Sequence, residues 1–133
     1  MYLLDTNTCI QFMNGTSPTI KQHFQQHSPT EIALCSVVKA ELWFGARHSQ
    51  RVESNLQRLK RFAAPFTSLP FDDRCAEEYG QIRADLSRQG KLICPNDMLI
   101  AAITRVHDAV LVTNNTAEFE RIANLRLMDW QQA

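Results

Sequence analysis

The stretch YLLDTNTCI, Tyr2 to Ile10, is where the reading of this chain turns. Tyr2, Leu3 and Leu4 form a short apolar run. Beyond Asp5 the apolar residues Cys9, Ile10 and Met13 fall at helical spacing, until Asn14 and Gly15 stop the pattern. The spacing predicts a strand running straight into a helix. It also sets a carboxylate, followed by Thr6 and Asn7, inside an apolar run, where burial costs free energy unless the charge finds a partner. Such an acid either caps the helix or holds a cation.

Outward from this unit, strand and helix patterns alternate. Ser17 and Pro18 open a polar helix to about Gln26, and Glu31 to Cys35 reads as a short buried strand. Ser36 is placed to cap a helix from Val37 to about His48. That helix carries Leu42, Trp43 and Phe44 in succession, and consecutive residues cannot all face one side. Glu53 to Phe62 reads as an exposed helix, and Pro65 to Phe71 as a brief extended piece. Asp72 and Asp73 start a helix with Cys75, Tyr79, Ile82 and Leu86 on one face, ending near Gly90. Pro95 and Asn96 open another, with Ile100, Ala101 and Thr104 in line. Ala109 to Thr113 is an apolar strand, Asn115 to Ile122 a short helix, and Leu125 to Trp130 a final edge strand. The alternation predicts an α/β sandwich around a mostly parallel sheet.

A chain of 133 residues, 44% apolar and 21% charged, fits one soluble domain with a core large enough to close a site without disulfides. Fourteen basic and fourteen acidic side chains cancel, so net charge gives no sign of nucleic acid. Cys9, Cys35, Cys75 and Cys94 form no Cys-x-x-Cys pair, which excludes a zinc knuckle or dithiol motif and predicts reduced thiols in the cytoplasm. No signal peptide pattern or membrane-spanning run is visible.

Ligand sites in parallel sheets lie at the carboxyl ends of the strands. Three predicted strands end there in polar residues, at Asp5, Ser36 and Thr113-Asn114. Taken singly, the acids near this edge have ordinary roles. Asp5 is a favoured N-cap type. Glu41 shares a predicted sheet-facing stripe with Val37, Val38 and Gly45, which calls for a partner such as a buried arginine. Asp97 sits in the first turn of its helix, where the macrodipole favours an acid. Glu118 follows Asn115 by three residues, as in a capping box. Together, however, Asp5, Glu41, Asp97 and Glu118 are predicted at one sheet edge, and four carboxylates cannot all stay ionised there without a cation. Oxygen ligands with no clustered His or Cys suit Mg²⁺ or Mn²⁺ rather than zinc. His23, His27, His48 and His107 show no ligand spacing. Such a cation activates water at neutral pH, orients it, and offsets charge on a leaving oxygen, which are the needs of phosphodiester hydrolysis. Asn7, Ser36, Thr113 and Asn114 are placed to orient water or the ligands.

The motifs Leu4-Asp5-Thr6-Asn7, Ala40-Glu41-Leu42, Asp97 followed by Ile100-Ala101-Ala102, and Val112-Thr113-Asn114-Asn115 stand in the order of a PIN domain. The sequence resembles VapC-type toxin ribonucleases of bacterial toxin–antitoxin pairs over its whole length, including Glu118 to Ile122 and Leu125 to Trp130. The resemblance implies a PIN-like three-layer sandwich, a mostly parallel central sheet flanked by helices, in a single domain over residues 1–133. It implies that Asp5, Glu41 and Asp97 form an acidic core for Mg²⁺ or Mn²⁺, with Glu118 as a fourth acid. Many relatives carry aspartate where this chain has Asn115, and glycine where it has Cys94. The implied activity is a metal-dependent endoribonuclease acting on RNA, such as a tRNA. The implied partners are a second copy in a homodimer and a VapB-type antitoxin, whose helix would lie against Trp43 or Phe44. Arg47, Arg51, Arg58, Lys60 and Arg61, with His48, cluster in one stretch that fits either RNA phosphates or a solvated helical face. A phosphohydrolase with Asp5 as nucleophile is a rival, although its usual second acid two residues later is Asn7 here. A protein whose metal serves only stability and partner binding is another.

Overall fold

The parallel pairing of Tyr2–Leu4 (β1) with strands on both sides places the opening stretch at the centre of the sheet. The computed structural model describes residues 1–132; Ala133, the end of the expected 1–133 domain, lies outside the described residues. In chain order, β1 is followed by helices α1 (Thr6–Asn14) and α2 (Pro18–Gln26), strand β2 (Ile32–Cys35), and helices α3 (Ser36–Arg47) and α4 (Val52–Ala63). Strand β3 (Thr67–Leu69), helices α5 (Asp73–Arg88) and α6 (Pro95–Val106), strand β4 (Val110–Val112), helix α7 (Thr116–Phe119) and strand β5 (Arg126–Met128) complete the fold. The sheet runs β3-β2-β1-β4-β5, and every pairing is parallel, so the sheet is wholly rather than mostly parallel.

Successive residues of a strand point to opposite faces. Leu3 and Leu4 are both fully buried, as are Ala33 and Leu34, so protein covers both faces of the central strands. The chain starts at the centre, works outward through β2 and β3, then returns to the other side of β1 for β4 and β5. That reversal between β1 and β4 opens a crevice at their carboxyl ends. The Asp5 N–H donates to the Val112 carbonyl at 3.0 Å, so this acid is pinned to the end of both strands. At its far end α1 stops at Gly15, whose φ of 66° lets its N–H fold back on the last carbonyls.

Several boundaries differ from the expected ones for local reasons. Ser36 is not the cap of α3: β2 runs into the helix without a connecting residue, so the cap position falls on extended Cys35 and Ser36 is already helical. Helix α4 is not exposed throughout, since Leu56, Leu59 and Ala63 are buried and α4 packs on α3. The helix after Asn115 stops at Phe119 rather than Ile122, the remainder being turn. Arg105 near the end of α6 donates to Glu78 of α5 at 2.7 Å, tying together the two helices that make the largest packed pair.

Candidate active site

Asp5 leaves β1 in extended conformation, and one carboxylate oxygen accepts the Thr8 N–H at 2.8 Å. The cap reading is therefore correct, and it leaves the second oxygen for the cleft. Asp5 is 8% exposed, which is low for a carboxylate that no basic side chain pairs with among the described residues. Glu41 enters from α3. The buried stripe of that helix is Val38, Leu42 and Ala46, so Glu41 stands at its margin, half-buried, rather than facing the sheet. No arginine pairs with it among the described residues; the Thr6 hydroxyl donates to its carboxylate at 2.6 Å. Thr6 had no assigned role in the sequence. Its adjacency to Asp5 was visible, but the 35-residue separation of the pair was not bridgeable without the fold.

Asp97 occupies the first turn of α6, and its side chain reaches the same cleft. Asp5, Thr6, Asn7, Glu41, Asp97, Asn114 and Asn115 line it above a floor of Ile100 and Phe119. Burial pushes the Asp97 carboxyl up to about 6, helped by the negative charges of Glu118, Glu41 and Asp5 and by a hydrogen bond with Glu118. Asp5, Glu41 and Asp97 thus share the cleft, while Glu118 is not among its lining residues and stands near enough only to raise the Asp97 carboxyl.

Glu118 is not half of a capping box. The Asn115 side chain makes no cap bond; its amide donates to the Glu118 carboxylate, while its own N–H goes to the Thr113 hydroxyl at 3.0 Å. The other Glu118 oxygen accepts the Cys94 N–H at 3.2 Å, joining α7 to the entrance of α6. Of the remaining expected positions, Asn7 and Asn114 meet across the cleft at 3.3 Å. Thr113 is fully buried beneath it, and Ser36 is exposed and does not line it.

The donor set is oxygen-rich: carboxylates with amide carbonyls, and no His or Cys among the lining residues. That chemistry fits a hard divalent cation. Among the described residues no three acids stand ready to close on one ion, so rotation of Glu41, Asp97 or Glu118 would have to complete the shell. Relief of the crowding that raises the Asp97 carboxyl favours that closure.

Of the basic stretch, Arg47, Arg51, Lys60 and Arg61 are exposed. Arg58 is occupied otherwise: its guanidinium donates to the Met13 carbonyl and to the Asn14 amide oxygen, tying α4 to the end of α1. Trp43 packs against the core and Phe44 is 68% exposed, dividing the consecutive aromatics as their spacing requires. Beside the acids, Ile10, Met13, Leu42, Gly45, Ala46 and Leu59 form an apolar groove between α1, α3 and α4. His23 and His27 lie parallel to the Trp130 indole, at centroid distances of 5.1 and 5.3 Å, so they belong to packing.

A family model for the PIN domain matches residues 2–125. The tRNA(fMet)-specific endonuclease VapC of Shigella flexneri is 38% identical over 129 residues, covering 97% of each chain. Ribonuclease VapC2 of Rickettsia felis is 35% identical over 133 residues, covering 99% of each. Among solved structures, DNA-bound VapBC from Salmonella typhimurium superposes with a TM-score of 0.91 at 36% identity, covering 97% of both chains. VapBC2 from Rickettsia felis, bound to a promoter DNA fragment, gives 0.90 at 36% identity, covering 97% of this chain and 98% of that one.

Proposed function

The chain belongs to the PIN-domain family, in its VapC ribonuclease branch, and from that premise we propose that it is the toxin endoribonuclease of a toxin–antitoxin pair, hydrolysing RNA phosphodiester bonds at the Asp5–Glu41–Asp97 cleft with a divalent cation, Mg²⁺ or Mn²⁺. The observation that carries the assignment to this cleft is that Asp5, Glu41 and Asp97, from three separate elements, line one cleft at the carboxyl ends of β1 and β4, where the strand order reverses, and none of them is paired with a basic side chain among the described residues. A cation bound there supplies an acidified water and charge neutralisation at the leaving oxygen.

The protein's own groups supply positioning. Asp5 is held rigid by the Thr8 N–H and by the β1 and β4 backbones. Thr6 fixes the orientation of Glu41 by donating to one of its oxygens, which leaves the other free. Asn7 and Asn114 present amides at the mouth, where they can bind water or a phosphate oxygen. Glu118 holds α7 against the start of α6 and contributes charge to Asp97; for it to ligate as well, its carboxylate must rotate away from Asn115. The Ile100 and Phe119 floor excludes water from below.

A VapB-type antitoxin helix fits the apolar groove between α1, α3 and α4, whose walls adjoin Glu41, so that binding there covers the cleft mouth. We extend the reading to a homodimer working in the cytoplasm; no helix among the described residues is long and apolar enough to cross a membrane. The substrate class is RNA, with a tRNA the leading member by likeness to the Shigella flexneri relative.

The test is cleavage of total cellular RNA by purified, antitoxin-free protein in Mg²⁺, Mn²⁺ or EDTA, beside Asp5→Asn. Discrete products that require both metal and Asp5 support the reading and identify the RNA. Absence of cleavage with every metal would transfer the weight to a phosphohydrolase or to a role confined to partner binding.

A further inference from the structure

We propose that Phe44 is a stacking platform for one unpaired nucleobase of the substrate beside the acidic cleft; this rests on the endoribonuclease reading. An exposed phenylalanine by itself says little. Its setting is what matters. Ala40 and Phe44 on α3 and His48 at its C-cap succeed one another at four-residue intervals and so form one stripe. His48 stacks on the Phe44 ring, with centroids 5.4 Å apart and planes 14° apart, and holds it in place from one side. Toward the other side, small Ala40 leaves a recess, which Thr6, Glu41 and Asn96 close. Thr6 and Glu41 also line the acidic cleft, so the recess opens directly onto it.

The chemistry of the recess is that of a base rather than of a phosphate or an aliphatic side chain. It offers one π-face, a floor of a single methyl group, and the Asn96 amide, which carries both donors and an acceptor for a base edge. A duplex keeps its bases stacked on each other and cannot offer a face to Phe44, whereas a loop or single strand can. Arg47, exposed one turn farther along α3, is placed for the backbone of the same strand. The apolar groove between α1, α3 and α4 includes neither Trp43 nor Phe44, so an antitoxin helix seated in that groove leaves the ring free, unlike the contact with Trp43 or Phe44 that the family resemblance implies.

Stacking of a base on an aromatic ring is a binding term of about tenfold or more. The test pairs Phe44→Leu, which keeps an apolar side chain but removes the π-face, with Phe44→Tyr, which keeps both. Because Phe44 is exposed, both variants should melt with the parent. A short single-stranded oligoribonucleotide carrying 2-aminopurine at successive positions is titrated with protein carrying Asp5→Asn, so that it is bound but not cut. Quenching at one position is expected with Phe44 in place and with Phe44→Tyr, but not with Phe44→Leu. In the cleavage-competent protein, Phe44→Leu should raise KM about tenfold with kcat nearly unchanged, and leave antitoxin affinity unchanged. Equal KM and equal quenching in Phe44→Leu would overturn the platform while leaving the nuclease intact. So would loss of antitoxin binding with RNA binding unaltered, which would make the ring a partner contact. Failure of the parent protein to cut any RNA would bring down the nuclease reading and the platform with it.

Discussion

Replacing Asp97 by asparagine should stabilise the metal-free protein while abolishing its cleavage of RNA. The rise of this carboxyl from 3.8 to about 6 is caused first by burial and then by the charges of Glu118, Glu41 and Asp5. It corresponds to about 3 kcal/mol against the ionised form. The side chain is only half-buried, so solvent screening reduces this to about 1–2 kcal/mol. The N-terminus of α6 acts the other way, favouring the carboxylate by about 0.3–1 kcal/mol. A net gain of about 1 kcal/mol remains for Asp97→Asn at pH 7, or about 3–5 °C in Tm for a domain of this size. The sign with pH follows from a raised value. The contribution of Asp97 to stability is fully present below about 3.8, where both folded and unfolded chains are protonated, and is lost as pH rises through about 6. In EDTA the parent protein should therefore melt higher at pH 5 than at pH 7 by a little under half of this increment, because the larger part of the loss falls below pH 5, and the variant should lack that part of the slope. Added Mg²⁺ or Mn²⁺ at pH 7 should raise the parent's Tm and not the variant's, since only a ligand that binds the folded form stabilises it. Melting curves from pH 5 to 8, with EDTA and with each metal, measure all of this. A variant that melts below its parent in EDTA at pH 7, and still gains from metal, would refute the crowding argument.

Asp5→Asn should remove cleavage while preserving Tm within a degree or two, because an asparagine oxygen also caps α1; Asp5→Ala should lose cleavage and about 1 kcal/mol of stability as well, by the same melts. Thr6→Val should lower kcat about 10- to 100-fold by releasing Glu41, with Thr6→Ser restoring most of it; equal rates for both variants would deny Thr6 its positioning role. Ile10→Gln, on the exposed rim of the α1–α3–α4 groove, should weaken antitoxin binding about tenfold in titration calorimetry and leave RNA cleavage by free toxin unaltered.

The residues that announce the fold are those whose local pattern and tertiary role agree. Leu3 and Leu4 are apolar because both faces of β1 are covered, and Asp5 follows them because the strand ends where α1 must begin, so strand, cap and site coincide in three consecutive letters. Pro95 and Asp97 behave likewise at the start of α6. Legibility fails where a short local motif competes with a distant partner. Asn115 and Glu118 have capping-box spacing, but a four-residue helix has little to gain from a cap, and the Cys94 N–H, 24 residues away, takes the Glu118 oxygen instead. Ser36 fails for a related reason, since its capping preference is irrelevant once β2 is continuous with α3.

The same distinction explains why the acids converge. Each acid but one sits where its own element changes state: Asp5 between β1 and α1, Asp97 in the first turn of α6, Glu118 in the short α7 after β4. Glu41 alone lies within a long helix, and it is held by a side chain from another element, the Thr6 hydroxyl. Asp5 and Glu118 accept backbone N–H groups, from Thr8 and Cys94, and Asp97 is carried by the first turn of α6, whereas Glu41 depends on a side-chain hydrogen bond alone. Loosening should therefore appear first at Glu41. Thr6→Val is then expected to cost more in kcat than in metal affinity, because Asp5 and Asp97 keep the ion in place while the ligand that sets its orientation drifts. A metal titration followed by melting, beside single-turnover cleavage, separates the two quantities. A Thr6→Val protein that loses metal affinity and rate in equal proportion would show that Glu41 holds the ion as strongly as Asp5 and Asp97 do.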